Sequence, residues 1–180
     1  KKDLLVISDY GHGLLNKNIV NKLNNKFKFI ALNTQLNASS INYHAISKYK
    51  KADFLIINEN ELRHEFKDKN SSIKSMVYKL VKKINVEYVV VTSGSNGANF
   101  YIKRKKLFIH CPAYAKNIVD KVGSGDSMFA VMSLLLSKNC NPYLAIFLGS
   151  LAAAQNLENF NNKFATDKTK LFKFAYHMLS

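Results

Sequence analysis

The sequence predicts an α/β protein: a mainly parallel sheet flanked by helices on both faces, a three-layer sandwich, with one antiparallel hairpin. Three observations lead there. Short, wholly apolar runs such as Val89–Val91 recur along the chain, as in strands that are covered on both sides. Segments with helical spacing separate them, so that strand and helix alternate through the first half. That alternation argues for parallel strands joined by right-handed crossovers.

In order, Leu4–Ser8 is an unbroken apolar run ending in Asp-Tyr-Gly and reads as a buried strand. Asn16–Asn25 reads as a short helix, Phe27–Leu32 as a second strand, Tyr43–Tyr49 as a short helix and Phe54–Ile57 as a third strand. Ser71–Ile84 is the clearest helix, because Ile73, Met76, Val77, Leu80, Val81 and Ile84 fall on one face. Val89–Val91 is the fourth strand. Phe100–Ile102 and Leu107–Ile109 form a hairpin around a solvated lysine turn at Lys103–Lys106. Ser127–Ser137, Tyr143–Leu157 and Lys168–Met178 read as helices, and Pro112 and Pro142 fall at element boundaries.

The 180 residues suffice for one sizeable core, and 47% of them are hydrophobic. No apolar run reaches the roughly 18 residues of a membrane span, and no signal peptide is visible. Lys and Arg number 27 against 12 Asp and Glu, a net charge of +15. The lysines are scattered rather than striped, which disfavours nucleic-acid binding and suits an anionic small molecule. Cys111 and Cys140 make neither a metal spacing nor a disulfide framework, so a reduced, cytoplasmic compartment is expected. The five histidines are dispersed, against a structural zinc site.

Gly123-Ser124-Gly125-Asp126 runs straight into the apolar segment Met128–Leu136. Small residues before a helix leave backbone N–H groups free to face an anion, and a carboxylate in the first turn then stands beside that anion. An anion cradle with an adjacent base is what phosphoryl transfer to a hydroxyl requires. The plainer reading is a helix start with Ser124 as cap and Asp126 favouring the dipole.

The segment from Asp120 to Asp126 resembles the Asp-Thr-x-Gly-Ala-Gly-Asp signature of the ribokinase-like, PfkB-type carbohydrate kinases. Asn58-Glu59-Asn60-Glu61 resembles the family's Asn-x-x-Glu motif, and Val91-Thr92-Ser93-Gly94-Ser95-Asn96-Gly97 its Val-Thr-x-Gly-x-x-Gly nucleotide loop. The resemblance implies a ribokinase-like fold and ATP-dependent phosphorylation of a sugar or sugar phosphate. Asp126 would be the general base, with Gly123, Ser124 and Gly125 as the anion hole. Asn58, Glu61, Thr92, Ser93, Gly94, Gly97 and Ser150 would serve the nucleotide, with Glu61 acting on Mg²⁺ through water. For Asn58 and Glu61 a capping box is the plainer reading, compatible with the other, while Glu59 and Glu65 read as solvated. Asp120 matches an aspartate associated with a monovalent cation, K⁺, although Lys121 replaces the usual threonine and weakens that site. There is no Walker motif.

Asp9-Tyr10-Gly11-His12-Gly13 resembles the Asp-Tyr-Gly-Lys-Gly segment of the heptose-phosphate kinase branch, which implies acceptor binding by Asp9, His12, Asn33 and Asp126. His12 stands where lysine is usual and carries only part of a charge near neutral pH. Asn33-Thr34-Gln35 also departs from that branch's Asp-Pro-Lys. Asp9, Asn33, Asn58, Glu61 and Thr92 all follow strand ends, where such sheets bind ligands. The chain is expected to be a single domain over residues 1–180, the C-terminal ATP-binding and catalytic portion of such a kinase. The N-terminal substrate and lid portion would be absent, and any homodimer would form through that lid. A non-catalytic nucleotide-binding module on the same fold is the alternative.

Overall fold

The computed structural model describes residues 2–35, 46–115, 120, 122–158 and 166–179. The order is β1 (Lys2–Asp9), α1 (Lys17–Asn24), β2 (Phe27–Thr34), a 3₁₀ turn (Ile46–Lys48), β3 (Lys51–Asn58), α2 (Glu59–Phe66), α3 (Ile73–Lys83) and β4 (Asn85–Thr92), then a 3₁₀ turn (Gly94–Asn96), β5 (Ala98–Ile102), β6 (Leu107–Cys111), α4 (Ser124–Ser137), α5 (Pro142–Leu157) and α6 (Lys168–Leu179). The strands form one mixed sheet in the order β1-β2-β3-β4-β5-β6, parallel from β1 to β4 and ending in the expected antiparallel hairpin.

Contacts divide the described chain into two compact units, residues 1–93 with 99–109, and residues 94–98 with 110–180. In the first unit strand order follows chain order without reversal. Right-handed crossovers in such a sheet all fall on one face. Accordingly Val20 of α1, Leu62 of α2 and Met76, Val77 and Leu80 of α3 join one core with Ile7, Leu32, Leu55, Val89 and Val91, which register pairs place on the same side. The alternate strand residues Ala31, Phe54, Ile56 and Val90 are equally buried, as the unbroken apolar runs predict. Tyr78 of α3 meets Tyr101 and Phe108 edge-on, each at 5.6 Å, and so holds the hairpin to this layer.

Short polar side chains start most of these helices. Asn16, Ser72 and Asn141 each accept a backbone N–H one to three residues into the helix, and Pro142 occupies the first helical position of α5. In the second unit α4 and α5 lie against one another. A Cβ on Gly149 would sit 2.5 Å from Met132 Cγ, so the close approach depends on this glycine. Leu148, Leu151 and Ala152 of α5 then meet Leu171 and Ala175 of α6.

Three boundaries differ from expectation. Helix α4 begins at Ser124, not Ser127, and its cap is Gly123 rather than Ser124, so Gly125 and Asp126 lie inside the first turn. Asn58 starts a full helix, α2, which the sequence shows only as a possible cap. Of the helix expected over Tyr43–Tyr49, residues 43–45 lie outside the described residues, and Ile46–Lys48 form a 3₁₀ turn.

Candidate active site

Within the first unit, four candidate positions close neighbouring parallel strands. Asp9 ends β1 and pairs in register with Thr34, next to Asn33; Asn58 ends β3 and pairs with Thr92, the end of β4. All stand at the carboxyl edge of the sheet, the edge at which α/β proteins bind ligands.

Asp9 is 5% exposed, and both its carboxylate oxygens are engaged. Oδ1 accepts from Gly11 N–H at 3.0 Å, while Oδ2 accepts from the Tyr49 hydroxyl at 2.7 Å and lies 2.6 Å from Lys48 Nζ. Burial pushes this carboxyl up, but the bonds from Lys48, Tyr49 and Gly11 outweigh it and hold the group below the usual aspartate range. Burial first, then the Asp9 carboxylate, pushes the Tyr49 phenol far above its ordinary value, so it remains a donor. Lys48 and Tyr49 carry no local sequence signal, and the motifs miss them. His12 is exposed in the turn after β1, between Gly11 and Gly13, both at positive φ. Asn33 is buried near the end of β2.

Asn58 and Glu61 form the capping box. Asn58 Oδ1 accepts from Asn60 N–H at 2.9 Å, and Glu61 Oε2 accepts from Asn58 N–H at 3.0 Å. Glu59 is half-buried and bonded within the protein rather than simply solvated, contrary to expectation. Its Oε2 accepts the Ser93 hydroxyl at 2.7 Å, and its Oε1 accepts Arg63 Nη2 at 2.7 Å and Nε at 3.0 Å. The Ser93 hydroxyl and then the Arg63 guanidinium hold the Glu59 carboxyl below its ordinary range. The Glu-x-x-x-Arg spacing on a helix was the available signal. Glu65, too, is not solvated: it is buried in an ion pair with Lys83 on α3, because Leu62 and Glu65 share the inward face of α2.

In the second unit, Gly94 and Gly97 flank the 3₁₀ turn at positive φ, and Gly97 N–H donates to the Gly94 carbonyl at 3.0 Å. A Cβ on Gly97 would lie 2.1 Å from the Cys111 carbonyl oxygen, whereas one on Gly94 would meet open space. Gly123 caps α4 at φ 83 and, as a glycine, adds no side-chain cap bond. A Cβ on Gly125 would meet nothing within 4 Å, and Asp126 is exposed in the same turn. Asp120 is tied down on both sides: its N–H donates to the Leu157 carbonyl at 3.2 Å, and its Oδ1 accepts from Val122 N–H at 3.0 Å. Lys121 lies outside the described residues. Ser150 is buried in α5.

A cleft of about 730 Å³ opens at the other end of the sheet, where Lys51 and Asn85 begin β3 and β4. None of the motif residues lines it. No cluster of three metal-ligating side chains occurs among the described residues, and no described helix is long and apolar enough to cross a membrane.

The chain as a whole has relatives among known proteins. Residues 3–168 match the pfkB family of carbohydrate kinases. The chain belongs to that family. The bifunctional protein HldE of Campylobacter curvus is 28% identical over 154 residues, 84% of this chain and 32% of that protein. HldE of Helicobacter hepaticus is 28% identical over 156 residues, 84% and 31%. This PfkB chain thus spans about a third of the length of the curated relatives it matches. Phosphofructokinase-2 of Escherichia coli, in complex with substrates and products, superposes with a TM-score of 0.79 at 16% identity, over 98% of this chain and 57% of that one. Ribokinase of Arabidopsis thaliana, complexed with ribose and ATP, gives 0.73 at 17% identity, over 95% and 55%. These similarities establish the ribokinase-like fold that the motifs implied.

Proposed function

We propose that this chain carries the nucleotide and catalytic portion of an ATP-dependent kinase that phosphorylates a hydroxyl of a sugar or sugar phosphate. The observation that carries the reading is the start of α4. Gly123 at the cap position has no side chain to offer, a Cβ on Gly125 would meet open space, and Asp126 stands exposed in the first turn. N–H groups of Gly123, Ser124 and Gly125 would stabilise charge that builds on the transferred phosphoryl. Asp126 would accept the proton of the attacking hydroxyl. Thr92, Ser93, Gly94, Gly97 and Ser150 are assigned to the nucleotide on the family resemblance.

ATP and Mg²⁺ are the cofactors this reading requires. Mg²⁺ keeps several waters and needs few protein carboxylates, so Glu61 with its capping-box orientation fits a water-mediated role. Bound there, the ion would neutralise phosphate charge. Asp120 is the candidate for a K⁺ site. The acceptor is proposed to be a sugar phosphate, on the resemblance of Asp9–Gly13 and the net charge of +15. A homodimer, a cytoplasmic location and a single domain over 1–180 belong to the same reading.

The test is an ADP-release assay on the intact gene product that carries this chain. It is run with heptose, hexose and pentose phosphates, the free sugars and adenosine. Turnover with a sugar phosphate is the expected outcome. Efficient use of adenosine alone would overturn the acceptor class, and nucleotide binding without any turnover would favour the non-catalytic module.

A further inference from the structure

We infer that Glu59 is a positioning residue for nucleotide binding, acting through Ser93; the inference rests on the kinase reading above. In the motif Asn58-Glu59-Asn60-Glu61 it occupies a variable position, so nothing in the sequence pattern assigns it a task. The structure gives it three bonds. Its Oε2 takes the Ser93 hydroxyl at 2.7 Å, and its Oε1 takes Nη2 and Nε of Arg63. Arg63 turns its remaining nitrogen, Nη1, to the carbonyls of Lys69 at 3.0 Å and Ser71 at 3.1 Å. One carboxylate therefore ties together the start of α2, the segment before α3 and the residue that follows β4.

Ser93 is where this matters. It follows Thr92, the strand end registered with Asn58, and it directly precedes a turn with positive φ at Gly94 and Gly97. A backbone that bends through two such glycines is intrinsically soft, since glycine loses the most conformational freedom when it is ordered. Fixing the residue at its root removes part of that cost before a nucleotide arrives, which is how preorganisation raises affinity. The geometry also says how Ser93 would serve the nucleotide: its hydroxyl proton is donated to Glu59, so its part is to place the backbone at the root of the turn. The Arg63 guanidinium balances the Glu59 charge, so the anchor need not repel a polyphosphate. Bonds to a carboxylate acceptor are the stronger kind.

The experiment titrates the intact gene product with the magnesium complex of a non-hydrolysable ATP analogue and follows steady-state turnover in parallel. Ser93→Ala, which deletes one hydroxyl, and Glu59→Ala should each weaken analogue binding by about five- to tenfold, the loss expected for one hydrogen bond. In Glu59→Ala, turnover at saturating ATP should stay within about threefold and the acceptor KM should not move. The double variant should bind within about twofold of Glu59→Ala, because both changes break one contact. Glu59→Gln retains an acceptor for Ser93 and should recover most of the affinity. Effects that multiply in the double variant, or analogue binding by Ser93→Ala equal to wild type, would overturn the inference while leaving the kinase reading intact. Absence of nucleotide binding by the wild-type protein would overturn both.

Discussion

Asn58 and Thr92 face each other at the last rung of the β3–β4 ladder. The rung joins two motifs that stand more than thirty residues apart in the chain, and Glu61 is fixed to it through the Asn58 N–H. One carboxylate thus has a structural duty and a proposed metal duty, and the two separate by substitution. Glu61→Ala loses the cap and should destabilise by about 1 kcal/mol. Glu61→Gln keeps a capping acceptor and should melt close to wild type. Without the charge it should need several-fold more Mg²⁺ for half-maximal turnover. Thermal melts beside Mg²⁺ titrations check this, and a Gln variant with wild-type Mg²⁺ dependence would remove Glu61 from the metal.

Two glycines in one loop should respond unequally to the same change. Gly94→Ala places a methyl in open space at positive φ and should cost about 1 kcal/mol for the left-handed backbone alone. Gly97→Ala adds a clash with the Cys111 carbonyl, which is backbone and cannot swing aside, so it should cost at least about 2 kcal/mol. Urea unfolding of the two variants measures the difference. Equal midpoints would mean that the 110–113 segment yields easily.

The legible parts of the fold were those whose signal is local. Val89–Val91 and Phe54–Ile57 are apolar on both sides and announce central strands; Ile73–Ile84 has an unmistakable helical period. Helix α2 was invisible because only Leu62 and Phe66 interrupt a run of polar residues, and Glu65 turns inward for an ion pair rather than for apolar contact. Glycine and serine are poor helix formers, so the sequence puts the start of α4 three residues later than the structure does. At the site, the motifs named strand-end residues correctly as strand-end residues. They could not name Lys48 and Tyr49, whose meeting with Asp9 depends on β1 and β3 flanking β2.

Asp9 makes acid stability testable. Its folded-state titration lies below the ordinary range, so its contribution is fully present above about pH 4 and is lost as pH falls through the lowered value. Asp9→Asn should keep an acceptor for Gly11 N–H, while its Nδ2 can only donate toward the Tyr49 oxygen and leaves Lys48 facing a neutral group. A loss of about 2 to 3 kcal/mol is expected at pH 7, shrinking steadily as unfolding is measured toward pH 3. A loss of constant size across that range would show that the charge of Asp9 contributes nothing and that only its shape matters.

Asp126 stands exposed in the first turn of α4, beside a glycine over open space. Asp126→Asn preserves the size of the side chain and the glycine at the helix start, so nucleotide binding should remain within a few-fold of wild type. It removes the only carboxylate in that turn, and with it the proposed acceptor of the hydroxyl proton. General-base loss should lower turnover on the order of a hundredfold or more. Gly125→Val provides the contrast: it fills the open space next to that glycine without touching the carboxylate, and should weaken binding of a phosphate-bearing ligand as well as turnover. Measuring analogue affinity and turnover for both variants in the intact gene product separates proton transfer from anion binding. Turnover by Asp126→Asn within a few-fold of wild type would remove the base from this residue, and with it the proposal that the start of α4 is where the phosphoryl group moves.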